Sequence, residues 1–368
     1  MTSSFLSECA SESSTDASEG SVGTMMSVLS IMTLLCLTSL IYTYYLGYTN
    51  ISTLVGFWIP VVGMGITSLY AVVRFRSTFP MFVILLLSAT LHLVPIVRQP
   101  PDFVWNNDAI YALQLVDSIS DSAHLDFGVG TGQAPLYSYY PLFYLSQSMI
   151  SVVTSWSTVV VVKYSMSFLN LLTLMTFYML VRKVFDLDYL SSNLIVWLYS
   201  LNPMFHAFNS QPHAESFAII FYPLVLIYSL WRLSSRGTRL RAADGFLMFL
   251  FLLTVAMTHH FTSYMVILSV TLPTILLYSM RKISKFPAFL MLSVTLPLIW
   301  LVFVSQLVLW VHLKSLRLVL QSLVLIHGAG GYSPVGGTQA IDYYPSYFAW
   351  LFTQGRNIVV MLLAYVGL

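Results

Sequence analysis

Residues 244–282 read DGFLMFLFLLTVAMTHHFTSYMVILSVTLPTILLYSMRK, and this stretch decides the fold. Two apolar runs, 244–258 and 261–280, are parted by His259 and His260, and the second ends at the basic pair Arg281 and Lys282. A helix that crosses the hydrocarbon of a bilayer needs roughly 20 apolar residues. Runs of the same kind recur at 25–46, 51–73, 80–97, 158–181, 189–208, 214–232 and 286–311, with an interrupted candidate at 346–368. Lipid cannot satisfy free backbone groups, so such runs fold as helices. Their lack of period-2 alternation argues against a barrel. The expected fold class is all-α: a polytopic transmembrane bundle of about 9–11 membrane helices, with interfacial helices on the outer face.

The charge distribution sharpens this picture. Only 8% of the 368 residues are charged and 57% are hydrophobic, more apolar surface than a soluble core uses. Five of the 14 acidic residues fall in one polar stretch between spans, 98–135: Asp102, Asp108, Asp117, Asp121 and Asp126. The stretch reads as an outer catalytic loop. A second outer loop is expected at 313–345. No basic patch with interleaved aromatics is present, which argues against nucleic acid as a partner. Cys9 and Cys36 make no disulfide framework. Residues 1–24 are Ser-rich and acidic, unlike a signal peptide, and read as a disordered cytoplasmic tail ahead of a membrane domain at 25–368.

Lys and Arg mark the cytoplasmic side of a membrane protein. Eleven of the 16 basic residues lie in four short connections: Arg74/Arg76, Arg182/Lys183, Arg232/Arg236/Arg239/Arg241 and Arg281/Lys282/Lys285. Placing all four inside puts the N-terminus in the cytoplasm and 98–135, 209–213, 259–260 and 313–345 outside. It also requires 137–153 to lie at the interface rather than cross. The prolines and tyrosines of 135–141 suit that placement.

The unusual polar groups then share the outer side. Asn107 or Asn106 can cap a helix whose first turn holds Asp108, and apolar positions of helical spacing follow. Asp108 reads either as a helix-start carboxylate or as a working acid. Glu215 follows Gln211-Pro212-His213-Ala214 just inside an apolar helix, where an ionisable group is costly and suggests function. His259 and His260 read as a base, a hydroxyl-binding group, a ligand, or polar glue between helices. Adjacent histidines point to different helix faces, so both do not readily hold one metal. Lys163 reads as a lysine snorkelling to the headgroups or as a point charge for a phosphate. Arg356 interrupts the last apolar segment with 12 residues after it, which implies a buried arginine or a chain truncated within a span. The Gly-rich stretches at 128–133 and 328–337 lack the spacing of nucleotide-binding loops.

The order of these features resembles the GT-C superfamily of integral-membrane glycosyltransferases, which use polyprenyl- or dolichyl-phosphate-linked sugars. Asn107-Asp108-Ala109 leads into a surface helix, and Tyr140-Pro141-Leu142-Phe143-Tyr144-Leu145 opens the next one. Lys163 through Tyr178 to Arg182-Lys183, then Asn202-Pro203 to Glu215-Ser216, complete a matching run over about 98–235. The resemblance implies that Asp108 is the base or orients the acceptor, and that Glu215 is a second acidic group of the site. It implies that Lys163 and Arg356 hold the lipid phosphate. Asn107 stands where the family often has a second acidic residue, which weakens any carry-over of metal binding.

The function expected is therefore transfer of a sugar from a polyprenyl-phosphate donor to a glycan, lipid or protein acceptor on the extracytoplasmic face. Catalytic Asp108 and Glu215, and substrate-binding Lys163, Arg356, His213, His259 and His260, would surround the donor. A divalent cation, Mg or Mn, would sit on Asp108 and Glu215 if the enzyme uses one. Such chemistry needs a carboxylate to deprotonate the acceptor hydroxyl and positive charge for the departing phosphate. A lone carboxylate without a covalent partner favours inversion at the anomeric carbon. The competing expectations are a non-catalytic membrane scaffold or partner subunit, and a polytopic transporter.

Overall fold

The computed structural model describes residues 19–46, 51–97, 107–125, 138–202, 205–206, 212–234, 242–280, 288–306, 308–310 and 313–314. Regular structure among these residues is helical throughout, with no strand. The chain divides into two compact units, the first ending at Ser263 and the second starting at Tyr264.

In the first unit, α1 (Glu19–Leu46), α2 (Ile51–Arg74) and α3 (Phe79–Val97) pack on one another. Helix α1 begins at Glu19, inside the stretch read as a polar tail. Helix α2 ends on Arg74, where a cation suits the helix dipole. Its inner side buries Phe57, Val61 and Met64 against Leu29 and Cys36, and against Val83 and Leu87. Its other side exposes Val55, Ile59, Val62, Ile66 and Val73 at helical spacing. A helix apolar on both sides fits an apolar solvent. Small residues let the backbones of α1 and α2 approach: Ser39 Oγ donates to the Gly56 carbonyl at 3.0 Å, and a Cβ on Gly63 would lie 2.8 Å from Met32 Cε.

Helices α4 (Asn107–Ser122), α5 (Leu142–Thr154) and α6 (Thr158–Leu169) come next. The helix expected to hold Asp108 in its first turn is thus present, and of the segment 137–153 the residues from Leu142 onward are helical. Helix α6 runs into α7 (Leu171–Val184) through Asn170. Asn170 Nδ2 donates to the Met166 carbonyl at 2.9 Å, a side-chain bond that competes with the helix's own ladder. Helix α8 (Tyr189–Ser200) starts on the cap Asp188, which accepts the Ser191 amide at 2.8 Å. It is shorter than the expected run 189–208. It binds back to α2 and its following turn: Trp197 Nε1 donates to Ser68 Oγ at 2.8 Å, and Asn193 Nδ2 donates to the Ser77 carbonyl at 2.9 Å. Helix α9 (Ala214–Ser234) packs along α7 and α10 (Ala242–Thr258), and α11 (His260–Ser279) follows one residue after α10.

The second unit holds the rest of α11 and α12 (Ala288–Ile299), which passes into a π turn at Trp300–Val304 just after Pro297. Proline removes one backbone donor, and a shifted hydrogen-bond register beyond it is a physical consequence.

Three helical stretches are long and apolar enough to cross a membrane: Val55–Arg74, the joined Thr158–Val184, and His260–Ser279. Within the described residues the other runs supply shorter helices, with apolar stretches of 10–17 residues at Gly23–Ser39, Phe79–Leu93, Ala214–Leu230, Ala243–Thr258 and Leu290–Val304, while 346–368 lies outside the described residues. The fold is therefore an all-helical bundle with three membrane-length helices among the described residues, short of the 9–11 expected from the sequence.

Candidate functional site

One apolar cluster gathers the elements that carry most of the expected site. Ala109, Ala112 and Val116 of α4, Phe143 and Tyr144 of α5, Val162 and Met166 of α6, and Ala214 of α9 are buried together. Small residues in α4 let the neighbouring helices approach its first two turns. Polar contacts fix its far end: Ser120 Oγ and Ser148 Oγ lie 2.9 Å apart, and Thr158 Oγ1 donates to Asp117 Oδ1. Asp117, one of the loop acids, thus joins α4 to the first residue of α6.

Asp108 is the second residue of α4, next to buried Ala109. Its backbone lies at the edge of the cluster, while its side chain lies outside the described residues. Arg356, Asp102, Asp126 and most of 313–345 also lie outside them. Lys163, beside Val162 on α6, is only 4% exposed, so it does not snorkel to the surface.

Glu215 occupies the first turn of α9, where the Phe217 amide donates to the His213 carbonyl at 3.2 Å. Ala214 turns into the cluster, and Phe217 packs on Phe143 with ring centroids 5.9 Å apart. Glu215 Oε1 approaches His259 Nε2 at 3.6 Å, and both side chains are partly exposed, 25% and 15%. Half-buried His213 lies two residues earlier.

The junction of α10 and α11 sets His259. Its amide donates to the Val255 carbonyl at 3.0 Å, and its carbonyl accepts the Ser263 amide at 3.2 Å. The Thr262 amide donates to His259 Nδ1 at 3.3 Å, and Thr262 Oγ1 lies 3.1 Å from the same nitrogen. The two histidine rings stay in contact, with centroids 4.8 Å apart, although neighbours on a helix were expected to point to different faces. His259 faces Glu215, and His260 packs on Tyr140 with ring centroids 5.2 Å apart.

The structure thus brings together Glu215, His259 and His260, with the backbone of the Asp108 turn in the adjoining cluster. For a divalent cation the described donor set is poor. Among the described residues no group of three His, Cys, Asp or Glu side chains is arranged to hold a metal. His259 Nδ1 is occupied by the helix, and magnesium prefers oxygen ligands.

A second polar cluster was not anticipated from the sequence. His92 on α3 is fully buried, and its Nδ1 lies 2.8 Å from the Ser88 carbonyl and 3.2 Å from His206 Nδ1. His206 Nε2 reaches the Ser200 carbonyl, which places the proton of that ring on Nε2. Among the described residues His92 Nε2 has no hydrogen-bond partner. A histidine within the apolar run 80–97 was the available signal, because ionisable groups inside spans are rarely incidental. Asn193 and Trp197 likewise bridge helices from within a run that read as plain apolar.

Compared with family models, with curated proteins and with solved structures, the chain matches none.

Proposed function

We propose that this chain is a membrane glycosyltransferase that moves a sugar from a polyprenyl-phosphate donor to an acceptor hydroxyl at the outer face. The observation that carries the proposal is the pairing of Glu215 with His259 at 3.6 Å beside the cluster on which the Asp108 turn packs. Glu215 and His259, 44 positions apart in sequence, each sit at the start of a helix and approach one another. A carboxylate beside an imidazole suits recognition and orientation of hydroxyl groups. The order of sequence features resembling GT-C enzymes supports the same chemistry.

In this proposal Asp108 removes the acceptor proton and the acceptor oxygen attacks the anomeric carbon. The bond from that carbon to the phosphate oxygen breaks, and its electron pair leaves with the lipid phosphate. Lys163 and Arg356 stabilise the departing charge, Glu215 orients the acceptor, and His213 and His260 bind sugar or lipid headgroup. Inversion at the anomeric carbon follows from the single displacement. The test is transfer of radiolabelled sugar from polyprenyl-phosphate donors to a panel of acceptors in reconstituted membranes.

A second reading, a transporter, is favoured by one observation, the buried His92–His206 pair, since histidines inside spans can mark ion paths. Proton flux into proteoliposomes that is lost in His92→Ala would favour it over transfer.

A further inference from the structure

We propose that His259 is a positioning residue, locked by the first turn of α11 as its Nε2–H tautomer so that it presents that N–H to the Glu215 carboxylate and fixes its orientation. The role rests on the proposal above that Glu215 is a working carboxylate.

The first amides of any helix lack partners within the helix, and a side chain at the residue before the helix can accept one. His259 precedes α11, which starts at His260. Its Nδ1 accepts the amide of Thr262, the third residue of that helix, at 3.3 Å. A ring nitrogen that accepts an N–H carries no hydrogen itself. The neutral ring then holds its single proton on Nε2. That nitrogen faces Glu215 Oε1 at 3.6 Å. At 3.6 Å the separation is that of a charge-stabilised contact, longer than a direct hydrogen bond.

Two roles open in the sequence are thereby closed. His259 has no free lone pair with which to act as the general base, because the helix uses it. Nor does it offer Nε2 to a metal, because that nitrogen carries the proton. What remains is donation to a carboxylate, which needs a fixed tautomer and a fixed backbone. The junction supplies both: the His259 carbonyl accepts the Ser263 amide at 3.2 Å and Ser263 Oγ at 3.0 Å.

The test is magnetic resonance on the full chain in lipid nanodiscs. The chain has four glutamates, at 8, 12, 19 and 215, and eight histidines, so labelling by residue type gives spectra that single substitutions can assign. At neutral pH the His259 ring should show an unprotonated Nδ1 and a protonated Nε2. His259→Asn, whose side-chain oxygen can still accept the Thr262 amide, should shift the Glu215 carboxyl carbon signal while the protein stays folded. Glu215→Gln should leave the His259 tautomer unchanged, because the helix sets it. An Nδ1–H tautomer, a doubly protonated ring or an unmoved Glu215 signal in His259→Asn would each overturn the proposal. In the transfer assay His259→Asn should lose on the order of 10- to 100-fold at saturating substrate, the scale of a misplaced group. Wild-type transfer by His259→Asn would make His259 a helix cap only. Absence of transfer by the wild-type protein, with the tautomer and carbon shift as expected, would overturn the assigned reaction and leave this pairing standing.

Discussion

Replacing Glu215 by Gln removes its charge and keeps its shape beside His259. If Glu215 orients the acceptor, Glu215→Gln should lower transfer by roughly tenfold to a hundredfold, less than loss of the base would. Equal rates for Glu215→Gln and wild type would reduce Glu215 to a carboxylate that suits the helix dipole. A different carboxylate answers to pH. Asp188 accepts hydrogen bonds from the Ser191 side chain and amide, and the nearby Arg76 and Arg182 add to their effect, so its carboxyl is held below its ordinary value of 3.8. A carboxyl whose folded pKa is depressed contributes stability above its unfolded pKa and loses it as pH falls through the folded one. The contribution is therefore complete at neutral pH and fades only below about pH 4. Arg76 sits 3.9 Å away at an exposed surface, so salt should weaken the ion-pair part and spare the cap. Thermal unfolding of wild type and Asp188→Ala in detergent, from pH 7 down to pH 3, should show the two midpoints converging. A constant gap would refute the assignment.

Helix α5 ends at Ser155 in the left-handed conformation, φ 57°, a geometry that favours glycine. Ser155→Gly should raise stability by up to about 1 kcal/mol, and Ser155→Val should lower it by at least as much. Unfolding midpoints decide this, and a stabilised Val variant would contradict the geometry. The positions of most helices were legible in the sequence, because a long apolar run in lipid has few alternatives to a helix. Pairings between helices were not. Trp197 meets Ser68 and His92 meets His206 through contacts 129 and 114 residues apart, and no local pattern encodes such distances. The break at Asn170 was also hidden, because it depends on where one amide side chain turns. The meeting of Glu215 with His259 was half legible: both stood out as polar residues at apolar helix ends, yet their proximity needed the packing of α9 against α10.

At the scale of the whole molecule, the basic connections imply one orientation in the membrane. A cysteine placed at Asp121 should react with an impermeant reagent from outside, and one placed at Gly237 should not. Equal labelling or equal protection of the two would overturn that orientation and the outer site with it. The central claim is catalytic, and Asp108→Asn tests it most directly. Asparagine keeps the shape and capping ability of aspartate and removes the charge a base needs. Radiolabelled sugar transfer from a polyprenyl-phosphate donor should be measured in reconstituted membranes for wild type and Asp108→Asn. The account predicts transfer by wild type and its loss, by about 100-fold or more, in a variant that still folds and inserts. Wild-type rates in Asp108→Asn, or no transfer by wild type with any donor and acceptor, would contradict it.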